Sequence, residues 1–261
     1  MSLVRKPAVA NRFYPGDAET LSRMLDDFMA EAKSTRPRPK AIIVPHAGYV
    51  YSGPIAATAY ATLADAGDSI TKVVLLGPSH RVPLRGLATS DAHAFETPLG
   101  QVALDRGAIE RALGHPAVRI MEEAHAFEHS LEVQLPFLQK ELGAFSLAPF
   151  VVGDARPEDV AEVLDLLWGG DETLIVISSD LSHYMSYETA QRLDTATSCA
   201  IEALRPEDIG ERQACGRIPV KGLLETAKRR GLRAETLDLR SSGDTAGPRD
   251  RVVGYGAYGF Y

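Results

Sequence analysis

The sequence predicts an α/β fold, a single domain over residues 1–261 built on a mostly parallel central sheet. Two observations carry this expectation. Short Val/Ile/Leu runs recur at residues 41–44, 73–76 and 174–177, the pattern of strands buried on both faces, and segments of helical periodicity separate them. Each run also leads into a residue able to bind a metal or handle a proton: His46 after Pro45, His80 after Gly77-Pro78-Ser79, and Asp180 after Ser178-Ser179. Open α/β sheets hold ligands just beyond the carboxyl ends of their strands, so two imidazoles and a carboxylate are expected along one edge.

The remaining elements follow in order. After an irregular start ending in Phe13-Tyr14-Pro15-Gly16, Leu21, Met24, Leu25, Phe28 and Met29 recur at helical spacing and predict an amphipathic helix over 17–32. A Pro-rich link from Arg36 to Pro39 leads into the first strand, and Ala-rich 53–64 follows as a helix packed closely on the sheet. Beyond His80, residues 86–89 read as a short strand, 91–100 as a turn around Pro98-Leu99-Gly100, and 105–113 as a helix. Leu131, Leu135, Leu138 and Leu142 predict a helix over 129–142 that bends or restarts at Pro136. A strand over 145–152 and a helix over 157–168, with proline in its first turn and a Gly169-Gly170 stop, precede the strand that ends at Asp180. Helices over 187–204 and 218–230, then strands over 234–239 and 251–260, complete the chain. Lys228-Arg229-Arg230 closes its helix where cations complement the dipole.

Composition narrows the function classes. With 45% hydrophobic and 24% charged residues, the chain has ordinary globular usage and apolar content sufficient for a substantial core. Its net charge of -7, from 28 basic and 35 acidic residues, argues against broad binding to nucleic acid or anionic membranes, which would need a clustered basic face. The N-terminus lacks the apolar core of a signal peptide, and no run approaches the roughly 18 apolar residues of a membrane span, so a cytoplasmic location is expected. Cys199 and Cys215 are too few for a disulfide framework.

Among the candidate site residues, a lone strand-end histidine is usually structural, but His46 and His80 sit in equivalent contexts. Neutral imidazoles suit Fe, Zn, Cu or Ni. Cys215 lies in Ala214-Cys215-Gly216-Arg217, directly before a helix, where free N–H groups and Arg217 are expected to depress a thiol pKa and favour thiolate. The three together form a metal-ligand set with an open position. Cys199, inside an apolar helical stretch, reads as a buried, inert thiol. Asp180 and His183, three residues apart, read either as a helix cap with an exposed histidine or as a proton-handling pair, with Asp180 orienting His183. Glu123, His125, Glu128, His129 and Glu132 form a further cluster, of which Glu128 and His129 are the best candidates to line the cavity, although the His-Glu-x-x-His order of zinc proteases is absent. Tyr14, Tyr49 and Tyr51 are candidates for an aromatic wall, whereas His93 and His115 read as surface residues.

Phe13-Tyr14-Pro15, Pro45-His46-Ala47-Gly48-Tyr49, Gly77-Pro78-Ser79-His80, Glu128-His129-Ser130-Leu131-Glu132, Ser178-Ser179-Asp180 with His183, and Cys215-Gly216-Arg217 occur in an order that resembles the Memo family over nearly the whole chain. In prokaryotes this family is also called the AmmeMemoRadiSam system protein B. The resemblance implies an α/β sandwich similar to class III extradiol dioxygenases, metal ligation by His46, His80 and Cys215, and pocket positions at Asp180 and His183. It also implies AMMECR-type and radical SAM protein partners. This chain lacks a Cys-x3-Cys-x2-Cys motif and is not itself the radical SAM enzyme. One departure is Asn11, where glycine is expected before the aromatic-proline segment. Extradiol dioxygenases use two histidines and a carboxylate, whereas this chain offers a cysteine, so kinship of fold does not imply ring cleavage.

The leading functional expectation is a metal-binding, redox-type enzyme or radical SAM accessory protein of unknown substrate. Fe(II) is the expected cofactor, with Zn or Cu as alternatives, and His183, Asp180, His129 and Glu128 are the candidate catalytic residues. Zinc-assisted hydrolysis is a second reading. A non-enzymatic peptide-binding module is a third, since animal relatives of the family are described as binding phosphotyrosine peptides, and Arg217 and Arg81 lie nearest the motifs.

Overall fold

Residues 3–32, 34–67 and 69–261 are described by a computed structural model. In chain order its strands are β1 (Val4–Arg5), β2 (Ala41–Val44), β3 (Lys72–Pro78), β4 (Leu87–Thr89), β5 (Ala94–Thr97), β6 (Gly100–Ala103), β7 (Val118–Ile120), β8 (Ser146–Val152), β9 (Thr173–Ser178), β10 (His183–Met185), β11 (Ala234–Ser241) and β12 (Val252–Phe260). The α-helices are α1 (Ala18–Glu31), α2 (Tyr49–Tyr60), α3 (Arg106–Leu113), α4 (Glu122–Ala126), α5 (Leu135–Glu141), α6 (Pro157–Leu167), α7 (Tyr187–Glu202) and α8 (Arg217–Arg230).

Period-two alternation sorts the buried strand residues to two faces. Ile42, Val44, Val73, Leu75, Leu174 and Val176 share one core with Leu21 and Leu25 of α1, Ile55 of α2 and Leu138 of α5. Ile43, Val74, Leu76, Ile175 and Ile177 share the other with Val160 and Leu164 of α6 and Leu223 of α8. Helices therefore cover both faces, which is why these strands read as continuous apolar runs. Leu75 has no exposed surface, and truncating it to alanine would cost about 2–5 kcal/mol.

The large sheet runs β10-β12-β2-β9-β3-β8-β4-β7, with β11 also paired to β12. Its centre, β2-β9-β3-β8, is parallel. Outside it, β12 is antiparallel to β2, β10 and β11, and β4 is antiparallel to β8, so the sheet is mixed rather than mostly parallel. The C-terminal strands are joined by a short connection without a crossover helix, and such neighbours pair antiparallel.

Other expectations are corrected locally. The segment 91–100 is not a simple turn: β5 and β6 pair as a hairpin around Pro98-Leu99, beside β1. The helix expected at 53–64 starts earlier, at Tyr49. The segment 129–142 restarts at its proline, with a 3-10 turn over Glu132–Gln134 followed by α5, which has Pro136 in its first turn. Cys199 is exposed on α7 rather than buried. His115 is buried, not on the surface: its Nδ1 accepts from Ala117 N, so Nε2 donates to Glu162 at 2.8 Å. Asn11 adopts φ 64, a left-handed conformation that asparagine tolerates where glycine was expected, and its Oδ1 accepts from Gly16 N at 3.0 Å. No helix among the described residues is long and apolar enough to cross a membrane.

Because β2, β9 and β3 are adjacent and parallel, their carboxyl ends at Val44, Ser178 and Pro78 lie side by side. The turns that follow carry His46, Asp180 and His80. The loop before α8 brings in Cys215.

Candidate metal centre

His46 is buried, with 1% of its surface exposed. Its backbone N–H donates to Asp180 Oδ1 at 2.6 Å, and its ring Nδ1 lies 2.9 Å from Ser178 Oγ. That hydroxyl gives its single proton to Ser130 O at 2.6 Å and accepts from Gln134 Nε2 at 2.8 Å. His46 Nδ1 must therefore donate, which leaves the lone pair on Nε2. Nε2 faces Cys215 Sγ at 3.3 Å. Burial, reinforced by His80, holds the His46 pKa well below the ordinary imidazole value, so the ring is neutral.

His80 is fixed in the same way by a different partner. Glu128 Oε1 lies 2.9 Å from His80 Nδ1, and Glu128 Oε2 accepts the His80 backbone N–H at 2.6 Å. Burial raises the Glu128 pKa, but its hydrogen bonds and charge interaction with His80, with help from Ser130 N–H, outweigh this and lower it to about 2. An ionised carboxylate only accepts, so His80 Nδ1 donates, which leaves Nε2 as the ring atom able to ligate, on a side chain 28% exposed. A carboxylate fixing the remote nitrogen of a histidine is the support that metal-ligating histidines commonly have.

Cys215 departs from expectation in its charge. Burial, then the Asp180 carboxylate, push its pKa up to about 12, so the thiol is neutral rather than a thiolate. Arg217 does not oppose this, since its guanidinium turns toward Glu211 at 3.8 Å. The loop is pinned by Cys215 N donating to Asp180 O at 3.2 Å and Gly216 N to Ser179 Oγ at 2.9 Å. A Cβ at Gly216 would lie 2.7 Å from Ser179 Cβ, so only glycine lets the strand end and this loop approach so closely. Without a cation, the S–H donates to His46 Nε2; a cation at that place would take over the proton's position.

One donor atom each from His46, His80 and Cys215 lie within 4.8 Å of one another. Two imidazole nitrogens and one sulfur make a set that fits a soft or borderline transition-metal ion, and three protein donors leave a coordination position open. His80, Glu128 and His129 satisfy the same distance, but Glu128 Oε1 also accepts from His129 N and Ser130 N, so its carboxylate is occupied as a support.

The remaining expected residues gather around this set. The His129 ring stacks on His80 at 4.6 Å and lies 5.4 Å from His46 and 4.7 Å from Phe13. Among the described residues its buried Nδ1 makes no hydrogen bond, although Glu128 Oε1 lies 3.3 Å away, and burial followed by His46 lowers its pKa to about 3. Glu128 does not line open space; it is buried behind His80. Asp180 is raised in pKa by burial and supports the His46 backbone rather than orienting His183. His183 begins strand β10, not a helical turn, and its Nδ1 donates to Leu181 O at 2.8 Å. Tyr14 and Tyr49 are buried 5.5 Å apart, while Tyr51 is 39% exposed, so the aromatic wall is mostly packing.

Sequence reasoning missed Gln134, the supporting role of Ser178, and Arg5. Gln134 carried one signal, a second polar residue after Glu132 in the otherwise apolar segment Leu131–Leu138. The His125–Glu128 segment is held by Arg5, whose Nε donates to His125 O at 2.8 Å and whose Nη2 donates to Glu128 O at 2.7 Å.

Comparison with known proteins adds sequence kinship to this geometry. The family described as Memo-like protein matches residues 5–258. The chain is 38% identical over 263 residues to a MEMO1 family protein of Aquifex aeolicus, covering 97% of each chain. It is 38% identical over 286 residues to a MEMO1 family protein of Ignicoccus hospitalis, covering 99% of each. A MEMO1 family protein of Methanosarcina mazei is 35% identical over 270 residues, with 97% of this chain and 98% of the relative covered.

Proposed function

The chain belongs to the Memo family, and on that premise we propose that its strand-end cluster is a mononuclear metal centre with His46, His80 and Cys215 as ligands. The observation that carries this is the pair of oriented rings: Ser178 and Glu128 each accept the Nδ1 proton of one histidine, which leaves Nε2 of each ring as the ligand atom, grouped with the Cys215 sulfur. Fe(II) is the cofactor we assign, following the likeness of the family to class III extradiol dioxygenases, and Zn and Cu are chemically compatible with the same donors. When bound, iron would supply Lewis acidity and one-electron chemistry at an open coordination position.

The protein's own groups complete the site. His183, with Nδ1 committed to Leu181 O, presents Nε2 as the atom that exchanges a proton. His129, held neutral by burial and stacked on His80 with Phe13 beside it, packs against the centre and stays unprotonated near neutral pH. Asp180 holds the turn that aims His46. We therefore read the protein as a cytoplasmic redox enzyme, or as an accessory protein acting beside AMMECR-type and radical SAM proteins.

Anaerobic loading with Fe(II) or Zn(II), followed by exposure to oxygen, tests this reading. Stoichiometric Fe(II) binding with oxygen uptake that is impaired in His183→Ala supports it. Oxygen-indifferent protein that retains only Zn(II) would move the assignment to metal-assisted hydrolysis.

A further inference from the structure

Beside Cys215 the structure opens a cavity of about 700 Å3 that is not required to assemble the donor set. Its floor includes Pro78, Ser79 and Cys215; its walls are the loop over 82–85, the Gly153-Asp154 end of β8, and the first turn of α8. These walls are preformed. Ser79 N donates to Val152 O at 2.9 Å, Ser79 Oγ to Val82 O at 2.6 Å, and Asp154 N to Leu84 O at 2.7 Å. Gly153 passes so near Leu84 that a Cβ would collide with its carbonyl oxygen, which locks the loop to the strand end. The volume is in the range of small-molecule sites.

The lining divides by chemistry. Val82, Leu84, Ile218 and Pro219 form an aliphatic part; Arg85, Arg217 and Asp154 form a charged part. Among the described residues, no side-chain ion pair engages Arg85 or Asp154, and the ion-pair partner of Arg217 is Glu211, 3.8 Å away with a side chain 88% exposed. The lining holds two guanidinium groups and one carboxylate, and Glu211 meets Arg217 only at 3.8 Å from an exposed side chain, so the small positive excess suits a monoanion better than a phosphate dianion. A guanidinium also matches the planar geometry of a carboxylate, with which it pairs in bidentate fashion.

We propose that this cavity binds a small organic carboxylate, with its charged end on the Arg217–Arg85 side and its apolar body along Val82, Ile218 and Pro219 beside Cys215. The proposal rests on the metal-centre reading for its functional meaning, since it names the class of substrate that would reach that centre.

Hexanoate and the neutral control hexan-1-ol, titrated calorimetrically into the metal-free protein and into Arg217→Gln and Arg85→Gln, test it; the metal affinity of each protein is measured separately. Saturable hexanoate binding is expected, weakened about tenfold or more in Arg217→Gln by loss of a charge-assisted hydrogen bond, with hexan-1-ol bound more weakly and metal affinity unchanged. Hexanoate binding that is absent, indifferent to both substitutions, or matched by hexan-1-ol overturns the proposal. Arginine-dependent binding in a protein that takes up no metal would uphold the carboxylate site while removing the metal reading. Stoichiometric metal uptake without hexanoate binding would remove only the cavity proposal.

Discussion

Glu128 holds His80 at two points with one carboxylate, accepting the backbone N–H on Oε2 at 2.6 Å and the ring Nδ1 proton on Oε1 at 2.9 Å. Position and tautomer of the imidazole are thus set together. Replacing Glu128 with glutamine keeps a similar shape but puts a donor where one acceptor was. We expect Glu128→Gln to weaken metal binding about 10–100-fold, the usual effect of removing a histidine's outer partner, in competition against a chromogenic chelator. Unchanged affinity would show that His80 needs no such support.

Glu132 and Arg5 form a buried ion pair at 2.6 Å, with side chains 0% and 7% exposed. Glu132 also accepts from Ala8 N, Val9 N and the Tyr14 hydroxyl, while Arg5 binds the carbonyls that flank the Glu128 segment. Removing either partner leaves a charge buried and unpaired. Glu132→Gln is expected to lose about 3–5 kcal/mol in urea unfolding. A loss no larger than that of Glu19→Gln, whose exposed pair with Arg23 contributes about 0.2–0.5 kcal/mol, would contradict this.

His125 gives a pH dependence of definite sign. Burial, with Arg5 second, lowers its pKa from 6.5 to about 4, while its Nε2–H donates to Ala88 O at 3.0 Å. As pH falls, the unfolded chain takes the proton first, so the contribution present above pH 6.5 is lost progressively as pH falls through about 4. The span corresponds to about 3 kcal/mol. Unfolding free energies measured from pH 7.5 downward should fall less steeply in His125→Gln than in the wild type; equal slopes would assign the acid sensitivity to other groups.

The strand ends were legible because residues buried on both sheet faces leave an unbroken apolar run, and His46, His80 and Asp180 each follow one. Cys215 was legible as a neighbour of that edge but not in its charge, because burial and the Asp180 carboxylate act through space and outweigh the local effects of a helix start. Strand direction outside the centre depends on how Val252–Phe260 returns beside β2, which no local pattern encodes. The Asp180–His183 spacing suggested a proton pair, whereas each side chain is claimed by a backbone group, His46 N and Leu181 O respectively. Cys199 looked internal from its apolar neighbours, but its position on α7 faces outward.

The central claim is tested most directly by metal content after Fe(II) loading and gel filtration under anaerobic conditions, for the wild type, His46→Ala, His80→Ala and Cys215→Ser, with circular dichroism to confirm that each variant is folded. The account predicts one iron per wild-type chain and loss of retained metal in all three variants. Folded variants that retain iron as the wild type does would contradict it.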